Sequence, residues 1–236
     1  MPDSAPGPRS RLVVALVLAF GIAAVRGGGV LPVVVALAVL VVLASGQVRL
    51  VLQRLRGAAL VALGVVLVLP LIAGETVLAQ IGPLALRQEG LLAGTLIAVR
   101  LVSIVALTLA LLAPLSPFQI VGALRGLGVP SLMTDLLLLT LRYLDEVTAE
   151  LRRAHLARRL RGGRAGWRAL PAHATLLATG LIRAQARSER VWAAMRLRGY
   201  GTGLNMPTAR FQTRDWLAMT GALLVALGVV WLDRVL

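Results

Sequence analysis

The chain contains no cysteine and no lysine. The first absence excludes disulfides, thiolate metal sites and a cysteine nucleophile. The second excludes the Gly-x-x-x-x-Gly-Lys-Ser/Thr loop that cradles nucleotide phosphates, so no ATPase activity is expected here, nor any other enzymatic activity. Aromatic residues are only 4% of the chain. His155 and His173 are the two histidines. A metal site needs several clustered ligands, so both are expected to be structural, and no cofactor or bound metal is expected. Acids number 10 against 25 basic residues, every one of them arginine. That uniform use of Arg makes any single arginine weak evidence of guanidinium chemistry. Arginine at a repeated, defined position is better evidence.

What the chain has is apolar length. It is 58% hydrophobic, with a mean hydropathy of +0.85, which places it in the membrane class. Apolar runs occur at Leu12–Val25, Val30–Ala44, Ala58–Ala73, Leu91–Ala113 and Trp216–Leu232. Crossing the hydrocarbon takes roughly 20 helical residues. The first two runs are short and are joined only by Arg26-Gly27-Gly28-Gly29. Arg9 and Arg11 before Leu12–Val25 imitate a secretory signal, but no small-residue cleavage site follows, so a retained span is expected. Net charge is +15. In a membrane protein such an excess marks cytoplasmic loops and anionic headgroups, so the bilayer, and not nucleic acid, is the expected partner of the bulk charge.

Arg9 and Arg11 precede the first run, Arg49, Arg54 and Arg56 lie between the second and third, and residues 114–215 carry 16 arginines against six acids. The positive-inside rule puts these segments in the cytoplasm. The expected architecture is an all-α integral membrane protein of about five transmembrane helices with long amphipathic cytoplasmic helices. Residues 1–113 would form four spans, 114–215 a cytoplasmic module and 216–236 a last span. Arg100 falls inside the fourth run; a charge there is costly, and pairing with Glu75 or Glu89 is expected.

The middle section reads as ordered helices. Ser116-Pro117 starts a short one, closed by Gly126, Gly128 and Pro130. Leu132, Leu136, Leu139, Tyr143, Val147 and Leu151 recur at helical spacing over Ser131–Leu160. Asp145, Glu146 and Glu150 sit among Arg142, Arg152 and Arg153, which predicts pairing within the helix. Gly162-Gly163 stops it. A second helix is expected from about Trp167 to Leu197, bent near Pro171 and Gly180.

The two helices end alike. Ala157-Arg158-Arg159-Leu160-Arg161-Gly162 and Ala194-Met195-Arg196-Leu197-Arg198-Gly199 both read Ala-x-Arg-Leu-Arg-Gly, 37 residues apart. Arg near a helix C-terminus followed by Gly is ordinary by itself. Its exact duplication suggests paired knobs, each offering arginine to acceptors in a partner's groove.

The stretch from Leu115 to Gly201 resembles the transmembrane T component of energy-coupling-factor transporters. The likeness is carried by Leu115-Ser116-Pro117, Leu127-Gly128-Val129-Pro130, Leu141-Arg142-Tyr143, Arg161-Gly162, Ser188-Glu189-Arg190-Val191, Ala194-Met195 and Arg198-Gly199-Tyr200. The resemblance implies a non-enzymatic coupling subunit of an ABC-type importer. Its expected partners are two ATP-binding-cassette ATPases and a substrate-binding membrane S component. It also implies that ATPase coupling falls on Ala157, Arg159, Arg161 and Gly162, and on Ala194, Met195, Arg196, Arg198 and Gly199. The final stretch looks most like the cobalt/nickel branch, the CbiQ group; the alternative is the shared T component of a vitamin importer. From a different class, an independent secondary transporter would show inverted repeats or broken helices with polar groups at the midplane.

Overall fold

The computed structural model describes residues 7–25, 27–72, 77–81, 84–163, 169–201 and 212–235. The elements run α1 (Pro8–Ala24), α2 (Leu31–Ala44), α3 (Val48–Ile72), β1 (Val77–Ile81), β2 (Leu84–Arg87), α4 (Gln88–Leu112), α5 (Pro117–Gly126), α6 (Ser131–Leu160), α7 (Leu170–Leu197) and α8 (Thr213–Val235). The chain is helical, as expected. The addition is a short antiparallel hairpin of β1 and β2 between α3 and α4, where the apolar pattern pointed only to a loop. Glu75 and Trp167 lie outside the described residues.

Among the described residues, three helices, α3, α4 and α8, are long and apolar enough to cross a membrane. At 17 and 14 residues, α1 and α2 are shorter. The contacts of α1 nevertheless match the reach of α8. Near its start, Ser10 Oγ donates to Asp215 Oδ1 at 2.8 Å and the Gly7 N–H donates to the same oxygen at 3.0 Å. Just past its end, the Gly27 N–H donates to Asp233 Oδ1 at 2.8 Å. Helices α1 and α8 therefore run parallel, pinned at both ends by an acid of α8, and α1 covers nearly the same depth. The Gly7 bond also satisfies an N–H that the start of α1 leaves open.

Clustering of contacts divides the chain into two compact units, Met1–Ala123 with Arg210–Leu236, and Leu124–Ala209. In the first, the core joins Leu18 and Ile22 of α1, Val34 of α2, Leu107 of α4, and Ala222 and Val229 of α8. Small residues permit the close approaches. Gly90, Gly94 and Ala98 are buried at four-residue steps on α4, and Gly94 lies against the α3 backbone at Val65 and Val66. Such small-residue stripes are how apolar helices pack in lipid. Exposed leucines such as Leu60, Leu67 and Leu224 fit a hydrocarbon surround.

Arg100 corrects an expectation. Its Nη2 donates to the carbonyl oxygen of Val25, the C-cap of α1, and not to Glu89. A helix end presents carbonyls with partial negative charge and no intrahelical donor, so it can hold a guanidinium without a carboxylate. Arg87 does the same for α3, donating to Ile72 O at 3.2 Å.

Gly21 supplies a test of the α1–α8 contact. A Cβ there would lie 2.8 Å from the Cβ of Ala226, whereas one at Gly228 meets nothing within 4 Å. Gly21→Val should destabilise the detergent-solubilised protein by about 1–3 kcal/mol through overpacking, read as a lower thermal midpoint. Gly228→Ala should leave that midpoint nearly unchanged.

Candidate functional site

The second unit is built on α6 and α7. Glu150 receives Arg183 at 3.2 Å and Arg187 at 2.9 Å, and Arg187 also reaches Glu146 at 2.7 Å. Leu151 meets Gly180, where an added Cβ would be 3.2 Å from Leu151 Cδ2. His155 stacks on His173 with ring centroids 5.5 Å apart, and Arg158 Nη2 lies 3.1 Å from His173 Nε2. Across these pairs the α6 number rises as the α7 number falls, so the helices are antiparallel. The absence of a side chain at Gly180 lets Leu151 of α6 come close. Pro171 lies in the first turn of α7, where its missing N–H costs nothing.

Glu146 and Glu150 therefore bond between helices, and Asp145 makes no ion pair among the described residues. Intrahelical pairing of Glu146 and Glu150 with Arg142, Arg152 and Arg153 is not found. Those three arginines are exposed, while Glu146 and Glu150 face α7. The hydrogen bond from Arg183, with the positive charge of Arg187, holds the Glu150 carboxyl below its ordinary range.

Both helix tips form as the duplication suggests, and they form identically. At the end of α6, the Gly163 N–H bonds to Arg158 O at 3.1 Å and the Gly162 N–H to Arg159 O at 3.1 Å. At the end of α7, the Tyr200 N–H bonds to Met195 O at 3.0 Å and the Gly199 N–H to Arg196 O at 3.0 Å. Each is a Schellman cap. Gly162 and Gly199 both sit at φ +79°, the left-handed conformation that a Cβ disfavours. The repeated Gly is thus required by the backbone.

Ala157, Arg159, Arg161 and Gly162 are all exposed at the first tip, and Ala194, Arg196 and Arg198 at the second; Met195 and Gly199 are half-buried. The side chains of Arg159, Arg161, Arg196 and Arg198 make no hydrogen bond or ion pair among the described residues. The antiparallel pairing puts the tips at opposite ends. Tyr200, just past the second tip, donates its hydroxyl to Asp135 Oδ2 at 3.0 Å. From Asp135 to Arg161, 26 positions further along α6, a helix rises about 40 Å.

Sequence patterning does not single out Asp135. It also accepts from Arg125 at 3.2 Å, so the end of α5, the start of α6 and the end of α7 meet on one carboxylate. The Asp135 hydrogen bond pushes the Tyr200 phenol above its ordinary range. Trp192 packs edge-on against Tyr200.

Helix α5 provides a comparison. It starts with a capping box, the Gln119 N–H on Ser116 Oγ and the Ser116 N–H on Gln119 Oε1. It ends in a third Schellman cap, Val129 N–H to Leu124 O and Gly128 N–H to Arg125 O, with Gly128 at φ +97°. There the arginine, Arg125, is spent on Asp135. The cap is a general device; among the three caps, the free arginines are those of α6 and α7.

Two predictions follow from this geometry. Asp135→Ala strands Arg125 and Tyr200 and should cost about 1 kcal/mol, since the pair is partly solvated. It should speed amide exchange at residues 195–200 while leaving residues 157–163 unchanged. Because the folded-state pKa of Glu150 is depressed, its contribution is present above the ordinary glutamate range and fades as pH falls through the folded value. Spin labels on α6 and α7 should report separation on acidification below that range, and Glu150→Gln should already be looser at neutral pH.

The family model CbiQ, described as cobalt transport protein, matches residues 3–208. The chain belongs to that family, the one to which the motif resemblance pointed. No curated protein matches it.

Proposed function

We propose that this member of the cobalt transport protein family is the T component of an energy-coupling-factor importer. In this reading it couples ATP-driven motion of two ATPase subunits to a substrate-binding membrane subunit, for uptake of cobalt or nickel. One observation carries it. The same rigid cap, with the same two unpaired arginines, occurs at both ends of one antiparallel helix pair. A single tip would be an ordinary helix terminus. Two identical tips about 40 Å apart by helical rise match two equivalent grooves on a symmetric pair of ATPases.

The mechanism follows from stiffness. Glu146 and Glu150 clamp α7 to α6 through Arg183 and Arg187, so displacement of either tip moves the helix pair as a body. At the second tip, displacement also pulls through Tyr200 and Asp135 on Arg125 at the end of α5. Closing and opening of the ATPases on their nucleotide would shift both tips, and the helices would deliver that motion toward the bilayer. ATP chemistry belongs to the partners in this reading. Metal capture belongs to the S component: His155 and His173 are stacked on each other, with Arg158 against His173, an unfavourable place for a cation. By the distribution of arginine, α6 and α7 lie on the cytoplasmic side.

The test is co-purification of the co-expressed ATPases from membranes. Arg161→Glu or Arg198→Glu alone should weaken capture by about tenfold or more, each being a truncated and reversed interfacial charge. Together they should abolish it, because two linked tips bind with avidity that a single tip lacks. Full retention by the double variant, or metal uptake by this chain alone in liposomes, would overturn the proposal.

A further inference from the structure

The sequence motif draws the eye to arginine, and the structure to the residue between the arginines. Leu197 is 90% exposed and Leu160 is 80% exposed. No other large hydrophobic side chain among the described residues is as exposed, including those on the apolar helices of the first unit. The two leucines occupy the same place, two residues before the glycine at φ +79°. We propose that Leu160 and Leu197 are the anchors of the two tips, each seating in a leucine-sized apolar pocket of the ATPase whose rim carries carboxylates. This deepens the coupling reading and rests on it.

The repeated alanine gives the knob its shape. A helical side chain leans over the turn preceding it, onto the positions three and four residues back. For Leu197 these are Ala194 and Ala193, and for Leu160 they are Ala157 and Leu156. Ala157 and Ala194 are exposed and too small to cover the leucine above them. The pattern Ala-x-Arg-Leu thus sets each leucine over an alanine, with a second alanine, Ala193, under Leu197 and the exposed Leu156 under Leu160. Arg159 with Arg161, and Arg196 with Arg198, adjoin the leucine in sequence and so flank it at about 100° on either side. An apolar centre inside a ring of charge is the anatomy of a binding hot spot, in which the centre anchors and the rim orients and steers.

Leucine at this position is not part of the cap itself. Helix α5 ends in the same Schellman geometry, yet Gly126 stands where the tips have leucine. Leu127, in place of the second arginine, is only 38% exposed, and Arg125 is paired with Asp135. Among these three Schellman caps, bare leucine and bare arginine occur together only at the ends of α6 and α7. A lipid surface is the other apolar, anionic receiver, and α6 and α7 also expose Leu156, Leu177, Leu181 and Ile182 between the tips. Interfacial helices bury such a face along its length, whereas the leucines flanked by unpaired arginine stand at the two opposite ends. That placement selects two separate acidic protein rims.

The test measures affinity of the full-length protein in nanodiscs for the ATPases of the same transporter, at low and high salt. Leu160→Ala with Leu197→Ala should weaken binding by about 100-fold and leave its salt dependence unchanged. Leu160→Met with Leu197→Met should largely restore affinity, since methionine fills a similar volume. Arg161→Ala with Arg198→Ala should instead flatten the salt dependence. If the alanine pair at the leucines binds within threefold of the unsubstituted protein while Arg161→Glu with Arg198→Glu loses the ATPases, the anchor proposal fails and the coupling reading survives. If the unsubstituted protein does not bind the ATPases, both fail. If the leucine variants lose only binding to vesicles of anionic phospholipid, the anchors belong to lipid and the proposal is likewise overturned.

Discussion

The arrangement of the second unit depends on one clamp, the pair Glu146 and Glu150 held against Arg183 and Arg187. Exposed ion pairs contribute little individually. This one is a network, with Arg187 and Glu150 each mostly shielded and each making two contacts. It sits beside the close approach of Leu151 to Gly180, so charge and packing select the same register. That register is antiparallel, and from it the separation of the tips follows. Parallel helices would bring both caps to one end, where two bare arginine pairs would repel each other. Antiparallel pairing sends them apart, and long helices keep them so.

The helical fold was legible because its signals are periodic and local. Apolar runs, Ser116 before Pro117, and glycine after the last turn all act within a few residues. The identical caps were legible too, because a left-handed residue at C′ almost demands glycine. Pairings at long separation in sequence were not. Glu150 and Arg183 are 33 positions apart, and nothing in the composition distinguishes them from Glu150 with Arg153 on its own helix. Arg100 was read as needing a carboxylate, yet an unsatisfied helix-end carbonyl serves. Asp135 could be noticed only as the lone acid before a long apolar stretch. Leu160 and Leu197 carried no signal in a chain so rich in leucine, since exposure belongs to the fold and not to the residue.

A chain whose every basic residue is arginine obliges the functional arginines to be separated from the rest by what they touch. Arg87 and Arg100 close helix ends of the first unit. Arg125, Arg183 and Arg187 pair with acids, and Arg158 meets His173. Each of these is satisfied inside the chain, where changing it alters fold or stability before function. Arg159, Arg161, Arg196 and Arg198 have no such partner among the described residues; neither have Arg152 and Arg153, but only the former four stand at Schellman caps. The bare helix end at α6 is matched by one at α7 and contradicted by none at α5, where the same cap holds a consumed arginine. An accident of composition would fall on all three ends alike. The restriction to two, at opposite ends of one clamped pair, is what composition alone does not explain, and it suits the docking to a two-fold partner that we propose.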